Sequence, residues 1–140
     1  RCLSGEAGLT EALALARIVV TLLPNTAATE NILNARTLAL LPRGTVIINP
    51  GRGQLIDDAA LLAALDAGQV GHATLDVFRV EPLPPDHPLW QFENCHITMH
   101  LSGIPTPATR QRGLDRFLAN CEHWRAGEAL EGEVDPGRGY

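Results

Sequence analysis

Gly44-Thr45-Val46-Ile47-Ile48-Asn49-Pro50-Gly51-Arg52-Gly53 decides the fold. A short β-branched run, opened by Gly and closed by Pro-Gly, reads as a strand. It shows no polar alternation, which points to a strand buried on both faces, as in a parallel sheet. Three more runs share its character: Arg17-Ile18-Val19-Val20-Thr21-Leu22-Leu23, ending at Pro24-Asn25; Gly71-His72-Ala73-Thr74-Leu75-Asp76-Val77-Phe78; and the shorter Cys95-His96-Ile97-Thr98-Met99.

Helical segments separate the runs. Glu6 to Ala16 sets Leu9, Leu13 and Ala16 at helical spacing. Asn34 caps a short helix through Leu41, stopped by Pro42. Asp57 or Asp58 caps a helix over Ala59 to Ala67, followed by Gly68. A last helix starts at Thr106-Pro107, where Pro suits the first position, and runs to Ala126 before Gly127. Its stripe of Leu114, Phe117, Leu118, Cys121 and Trp124 is an amphipathic docking face. The Pro-rich stretch from Glu81 to Pro88 can be neither helix nor central strand, so it is a surface connection. Alternating helices and strands predict an α/β fold, a partial Rossmann-type doubly wound sheet of four or five mostly parallel strands with flanking helices. No boundary divides residues 1–140.

Composition narrows the function. The chain has 140 residues, 45% hydrophobic and 19% charged, which is globular. Its longest apolar run, around Ile18 to Leu23, is far below the roughly 20 residues of a membrane span. Sixteen acids against eleven bases give a net charge of −5, and the bases are scattered arginines, which argues against a nucleic-acid partner. Cys2, Cys95 and Cys121 form no Cys-x-x-Cys pair, so a reducing, cytoplasmic setting is expected. The chain opens Arg1-Cys2-Leu3 and its only Met is Met99, so we expect the carboxyl-terminal part of a longer protein.

In parallel sheets ligands bind beyond the carboxyl ends of the strands. The residues there are Pro24-Asn25-Thr26, Pro50-Gly51-Arg52-Gly53, Asp76 with Glu81 beyond it, and His100. Arg52 presents a planar fork suited to a carboxylate. Gly51 and Gly53 allow close approach of backbone to a ligand and a positive φ. His100 can exchange a proton near neutral pH, and a carboxylate such as Glu81 within reach favours its charged form. Each has a plainer alternative: a surface Arg in a tight turn, a structural His on a loop carbonyl, a solvated loop acid. His96 and His100 stand four apart on a strand, about 13 Å along the chain, which does not suit a shared metal. Neither a Gly-x-Ser-x-Gly elbow nor a Gly-x-Gly-x-x-Gly phosphate loop occurs.

Taken in order, Leu22-Leu23-Pro24-Asn25-Thr26, Ile48-Asn49-Pro50-Gly51-Arg52-Gly53, Leu75-Asp76-Val77-Phe78 with Glu81-Pro82-Leu83-Pro84, and Ile97-Thr98-Met99-His100-Leu101-Ser102-Gly103 resemble the carboxyl-terminal half of the D-isomer-specific 2-hydroxyacid dehydrogenases. Pro88-Leu89-Trp90-Gln91 and the ending Val134 to Tyr140 are similar to the glyoxylate/hydroxypyruvate reductase branch. The resemblance implies NAD(P)H-dependent reduction of a small 2-oxo acid, with NADPH favoured over NADH. It implies that Arg52 binds substrate, that His100 protonates the carbonyl oxygen, and that Glu81 pairs with His100. It implies that Asp76 holds the nicotinamide carboxamide. It further implies that Leu23, Pro24, Asn25, Pro50, Gly51 and Gly103, with Arg52 and His100, line the cofactor, and that the whole protein is a homodimer. Two departures stand out. Met99 replaces the Pro usual before the His, and the glycine-rich loop and substrate domain are not in this chain. On that ground the 140 residues alone are expected to be inactive, and the alternative is a non-catalytic remnant, a folding or dimerising module.

Overall fold

The four apolar runs form one parallel sheet. The computed structural model describes residues 1–137 and separates into two compact units, Arg1–Ser102 and a second from Gly103 onward. The sequence marks no such break, because it falls inside the turn between the last strand and the last helix.

The first unit holds α1 (Gly5–Leu15), β1 (Ile18–Val20), α2 (Ala35–Leu38), β2 (Thr45–Asn49), α3 (Asp58–Asp66), β3 (Val70–Leu75) and β4 (Cys95–Ile97), with short 3-10 turns at Gly53–Leu55 and Pro88–Gln91. The strand order is β1-β2-β3-β4, every neighbour parallel. Val20 lies beside Ile48, Asn49 beside Leu75, and Leu75 beside Ile97. This register aligns the carboxyl ends, so Thr21, Pro50, Asp76 and Thr98 all leave one edge of the sheet.

Capping follows the sequence. Asn34 accepts from the N–H groups of Arg36 and Thr37, and Thr37 returns the bond to the Asn34 N–H, a capping box. Asp57 accepts from the Ala60 N–H. The strands are shorter than their apolar runs. β1 pairs on one side only, and beyond it Leu22 and Leu23 are exposed. β4 stops before His100, where the chain turns at φ 55°.

Leu13, Leu38, Leu61 and Leu65 from the helices close over Ile47, Ala73 and Leu75. The expectation of strands buried on both faces needs correcting. Burial alternates along β2: Thr45, Ile47 and Asn49 are buried, while Val46 and Ile48 are only partly so. Isoleucine and valine on the second face read as core in sequence, but that face is incompletely covered here. In β1, Ile18 and Val20 are 61% and 51% exposed.

The second unit is built on α4 (Pro107–Ala126), capped by the Thr106 hydroxyl and ended by Gly127 at φ 72°. The Asn120 side chain donates to the Glu131 carbonyl and accepts from its N–H, folding the tail onto the helix. Of the stripe, Leu114, Phe117, Leu118 and Trp124 are exposed and Cys121 is partly buried. Arg138, Gly139 and Tyr140 of the ending motif lie outside the described residues. Among those described, no helix is long and apolar enough to cross a membrane, and no cluster of His, Cys, Asp or Glu could hold a metal.

Candidate active site

The turn after β2 is held by a side chain the sequence reading passed over. Asn49 is 1% exposed. Its Oδ1 accepts from the Thr21 hydroxyl at 2.7 Å and the Gly51 N–H at 3.1 Å, and its Nδ2 donates to the Arg52 carbonyl at 3.0 Å. A polar residue ending an apolar run just before Pro-Gly was the available signal. Arg52 itself is exposed, in extended backbone, and its Nη1 donates to the Gly51 carbonyl.

The flanking glycines are required by space rather than by φ. Neither has a positive φ, contrary to expectation. A Cβ on Gly51 would lie 2.7 Å from the Thr21 carbonyl oxygen; one on Gly53 would lie 2.0 Å from the Phe78 carbonyl carbon and 2.4 Å from the Arg79 nitrogen. The close approach is to the protein's own backbone.

Asp76, at the end of β3, is 6% exposed and organises the turn beyond β4. Its Oδ1 accepts from the Leu101 N–H at 2.9 Å and from the Thr98 hydroxyl. Its Oδ2 accepts from the Ser102 N–H at 2.8 Å and hydroxyl at 2.5 Å. Its own carbonyl accepts from the His100 N–H at 2.8 Å. Burial pushes this carboxyl up, but the four donors outweigh it and hold it far below the usual carboxylate range. They also occupy the four lone-pair positions a carboxylate offers. Together these bonds fix His100 in the left-handed region, a conformation uncommon without such support.

The imidazole meets its carboxylate. His100 Nδ1 lies 2.8 Å from Glu81 Oε2, and Glu81 Oε1 accepts from the Phe78 N–H at 2.9 Å. The bond from His100, then that from Phe78, keeps Glu81 below its ordinary range against a smaller effect of burial. An ionised Glu81 can only accept, so Nδ1 carries the proton and Nε2 is left free for a ligand. The two side chains are 43% and 36% exposed.

Arg52, Gln54, Phe78, Arg79, Glu81 and His100 line one open cavity of about 250 Å³. A larger one of about 560 Å³ continues from Glu81 and His100 over Phe78, Leu83, Trp90 and Met99. A third, of about 370 Å³, is lined by Pro50, Thr74, Asp76 and Ser102. So three of the expected residues, Arg52, Glu81 and His100, share a cavity, and Asp76 and Pro50 share another. Leu23, Pro24 and Asn25 leave the same sheet edge after β1; the Pro24 carbonyl accepts from the Thr29 hydroxyl. Gly103 is the first residue of the second unit.

A parallel sheet that gathers an arginine and a carboxylate–imidazole pair at its carboxyl edge belongs to the doubly wound α/β class, which binds dinucleotides there. Residues 3–102 match the family model described as D-isomer specific 2-hydroxyacid dehydrogenase, NAD binding domain, and the chain belongs to that family. Solved structures agree. The D-isomer specific 2-hydroxyacid dehydrogenase from Xanthobacter autotrophicus Py2, in complex with NADPH and MES, is 45% identical with a TM-score of 0.91, over 99% of this chain and 56% of that one. An NADPH-dependent glyoxylate/hydroxypyruvate reductase from Sinorhizobium meliloti, with NADP and sulfate, is 35% identical with a TM-score of 0.85, over 98% and 44%. A probable 2-hydroxyacid dehydrogenase from Rhizobium etli CFN 42, with NADP, HEPES and L(+)-tartaric acid, is 32% identical with a TM-score of 0.83, over 98% and 44%. The chain thus spans about half the length of the structures it matches.

Proposed function

We propose that this chain is the carboxyl-terminal part of the cofactor domain of an NAD(P)H-dependent reductase that converts a small 2-oxo acid, of the glyoxylate or hydroxypyruvate type, to the 2-hydroxy acid. The observation that supports it best is the Glu81–His100 pair at 2.8 Å, lining one cavity with Arg52. NADPH is favoured over NADH because similar structures hold NADPH or NADP.

In this reading the guanidinium of Arg52 takes the substrate carboxylate and keto oxygen in a forked grip. Bound nicotinamide cofactor supplies the hydride that reaches the carbonyl carbon. As the C=O π pair moves onto oxygen, His100 gives that oxygen a proton from Nε2, and the product is the neutral hydroxyl of a 2-hydroxy acid. Glu81 holds the other ring nitrogen and stabilises the imidazolium before transfer. Pro50, Gly51 and the Leu23–Asn25 turn face the cofactor. Asp76 fixes the turn that bears His100; a carboxamide reaching its oxygens must displace the Thr98 or Ser102 hydroxyl, which can rotate away as the backbone donors cannot. The cofactor pyrophosphate and the wall opposite the nicotinamide belong to parts of the protein outside this sequence, and the whole enzyme acts as a homodimer.

The test is a steady-state assay of the full-length protein with glyoxylate and hydroxypyruvate against NADPH and NADH, beside His100→Gln. Turnover with NADPH that His100→Gln loses by several orders of magnitude is expected. Absence of turnover with either acid overturns the reading.

A further inference from the structure

Arg79 stands between Phe78, whose N–H holds Glu81, and Glu81 itself, yet its side chain crosses to the loop of Arg52. Nε and Nη2 both donate to the Ile56 carbonyl, at 3.2 and 3.0 Å. Nη2 also reaches the Gln54 carbonyl at 3.2 Å and the Asn31 side-chain oxygen. Gln54 O accepts in addition from the Asn31 N–H at 2.9 Å. Two acids flank the guanidinium at longer range, Glu30 at 3.6 Å and Asp58 at 3.9 Å. The side chain is 27% exposed.

These contacts differ from an ordinary surface ion pair, which contributes little. The fork closes on main-chain carbonyls two and four residues beyond Arg52. The two loops already touch through Gly53, where a Cβ would meet the backbone of Phe78 and Arg79. One loop carries the group that grips a carboxylate and the other carries the partner of the proton donor. A 2-oxo acid presents its carboxylate and keto oxygen on adjacent carbons, so both loops must keep one spacing.

We propose that Arg79 is a positioning residue: its guanidinium clamps the Arg52 loop to the Glu81 loop and so sets the spacing of the anion grip from the Glu81–His100 pair. The catalytic consequence rests on the reduction proposed above; the clamp itself does not. Lysine offers its three donors from a single nitrogen and does not reproduce the planar fork by which Nε and Nη2 engage Ile56, Gln54 and Asn31.

Two measurements on Arg79→Lys and Arg79→Met decide it. Amide hydrogen exchange should quicken at least tenfold in residues 52–56 and in 78–81 together, with β3 unchanged. In the full-length enzyme KM for glyoxylate should rise at least tenfold in both variants, with KM for NADPH within twofold of wild type. A merely structural role would lower the melting temperature and the active fraction while leaving KM for glyoxylate unchanged. Unchanged exchange in Arg79→Lys, or full recovery of KM by lysine, overturns the proposal. If the wild-type enzyme reduces no 2-oxo acid, the proposed reaction falls and the exchange measurement alone decides the clamp. Should Arg79→Met fail to fold, Arg79→Lys decides both measurements.

Discussion

Replacing Asp76 with Asn changes one oxygen to an NH2 group at the centre of the His100 turn. The carboxylate accepts from four donors; an amide oxygen can face only one of the two pairs. Whichever way the amide turns, one backbone N–H, that of Leu101 or Ser102, faces another donor. A hydrogen bond to a charged group contributes about 1.5–3 kcal/mol, and the retained bonds weaken toward the neutral value near 1 kcal/mol. Leu101 and Ser102 are exposed, so water recovers part of the loss. The net cost is about 3 kcal/mol, on the order of a hundredfold in the opening equilibrium of the turn. His100 has a positive φ and leaves its conformation when the turn opens. In the full-length enzyme kcat for glyoxylate should fall as the open turn becomes populated, by at most on the order of a hundredfold. Amide exchange at residues 100–102 should quicken by a similar factor.

The pH dependence gives a second, independent check on Asp76. Its folded pKa is depressed, so its contribution to stability is present above the unfolded value near 3.8 and is lost as pH falls through the folded one. The stability gap between wild type and Asp76→Asn should be constant from pH 5 to 8 and narrow below pH 4. Wild-type exchange in the turn, or a gap that widens in acid, refutes the assignment.

Other outcomes follow from the same geometry. Arg52→Lys keeps the charge but not the fork, and kcat/KM for glyoxylate should drop roughly 10- to 100-fold with cofactor affinity nearly unchanged; steady-state kinetics with each substrate varied checks it. Glu81→Gln removes the charged acceptor of His100 Nδ1 at 2.8 Å, so kcat for glyoxylate should fall about tenfold or more with KM for NADPH nearly unchanged, as steady-state kinetics show. Gly53→Ala puts a Cβ 2.0 Å from backbone, so the two loops must part by about 1 Å or more and activity should fall about a hundredfold; the same assay measures it. The 140 residues alone, titrated with NADPH by calorimetry, should show no micromolar binding, because the sequence offers no glycine-rich turn for the pyrophosphate.

Strands and caps were legible because their signals are local. Pro24, Pro50 and the Gly residues punctuate β-branched runs, while Asn34, Asp57 and Thr106 stand just ahead of helical spacing. The candidate site was legible through the strand-end rule and its family resemblance. What escaped was set by contacts distant in sequence. Gly53 looked like a residue chosen for φ, but its constraint is the backbone of Phe78, 25 positions away. No local signal marks Arg79, because Asn31, Gln54 and Ile56 become its neighbours only after β2 and β3 pair. The second sheet face read as core because apolar composition cannot say which elements cover it.

The division of labour within the site explains why such distant contacts matter. Arg52, Glu81 and His100 are all exposed, free to meet a ligand. The groups that hold the turns of Arg52 and His100, namely Asn49, Thr21 and Asp76, are buried and hydrogen-bonded. Rigidity thus resides beneath the reactive groups rather than in them, which is how a loop site is held to sub-ångström tolerance on a sheet edge. Substituting a reactive residue should cost turnover with little stability. Substituting Asn49 or Asp76 should cost both, since each leaves buried donors or acceptors unpaired. A loss of both at Arg52, with equal shifts in melting temperature and kcat, would break this division.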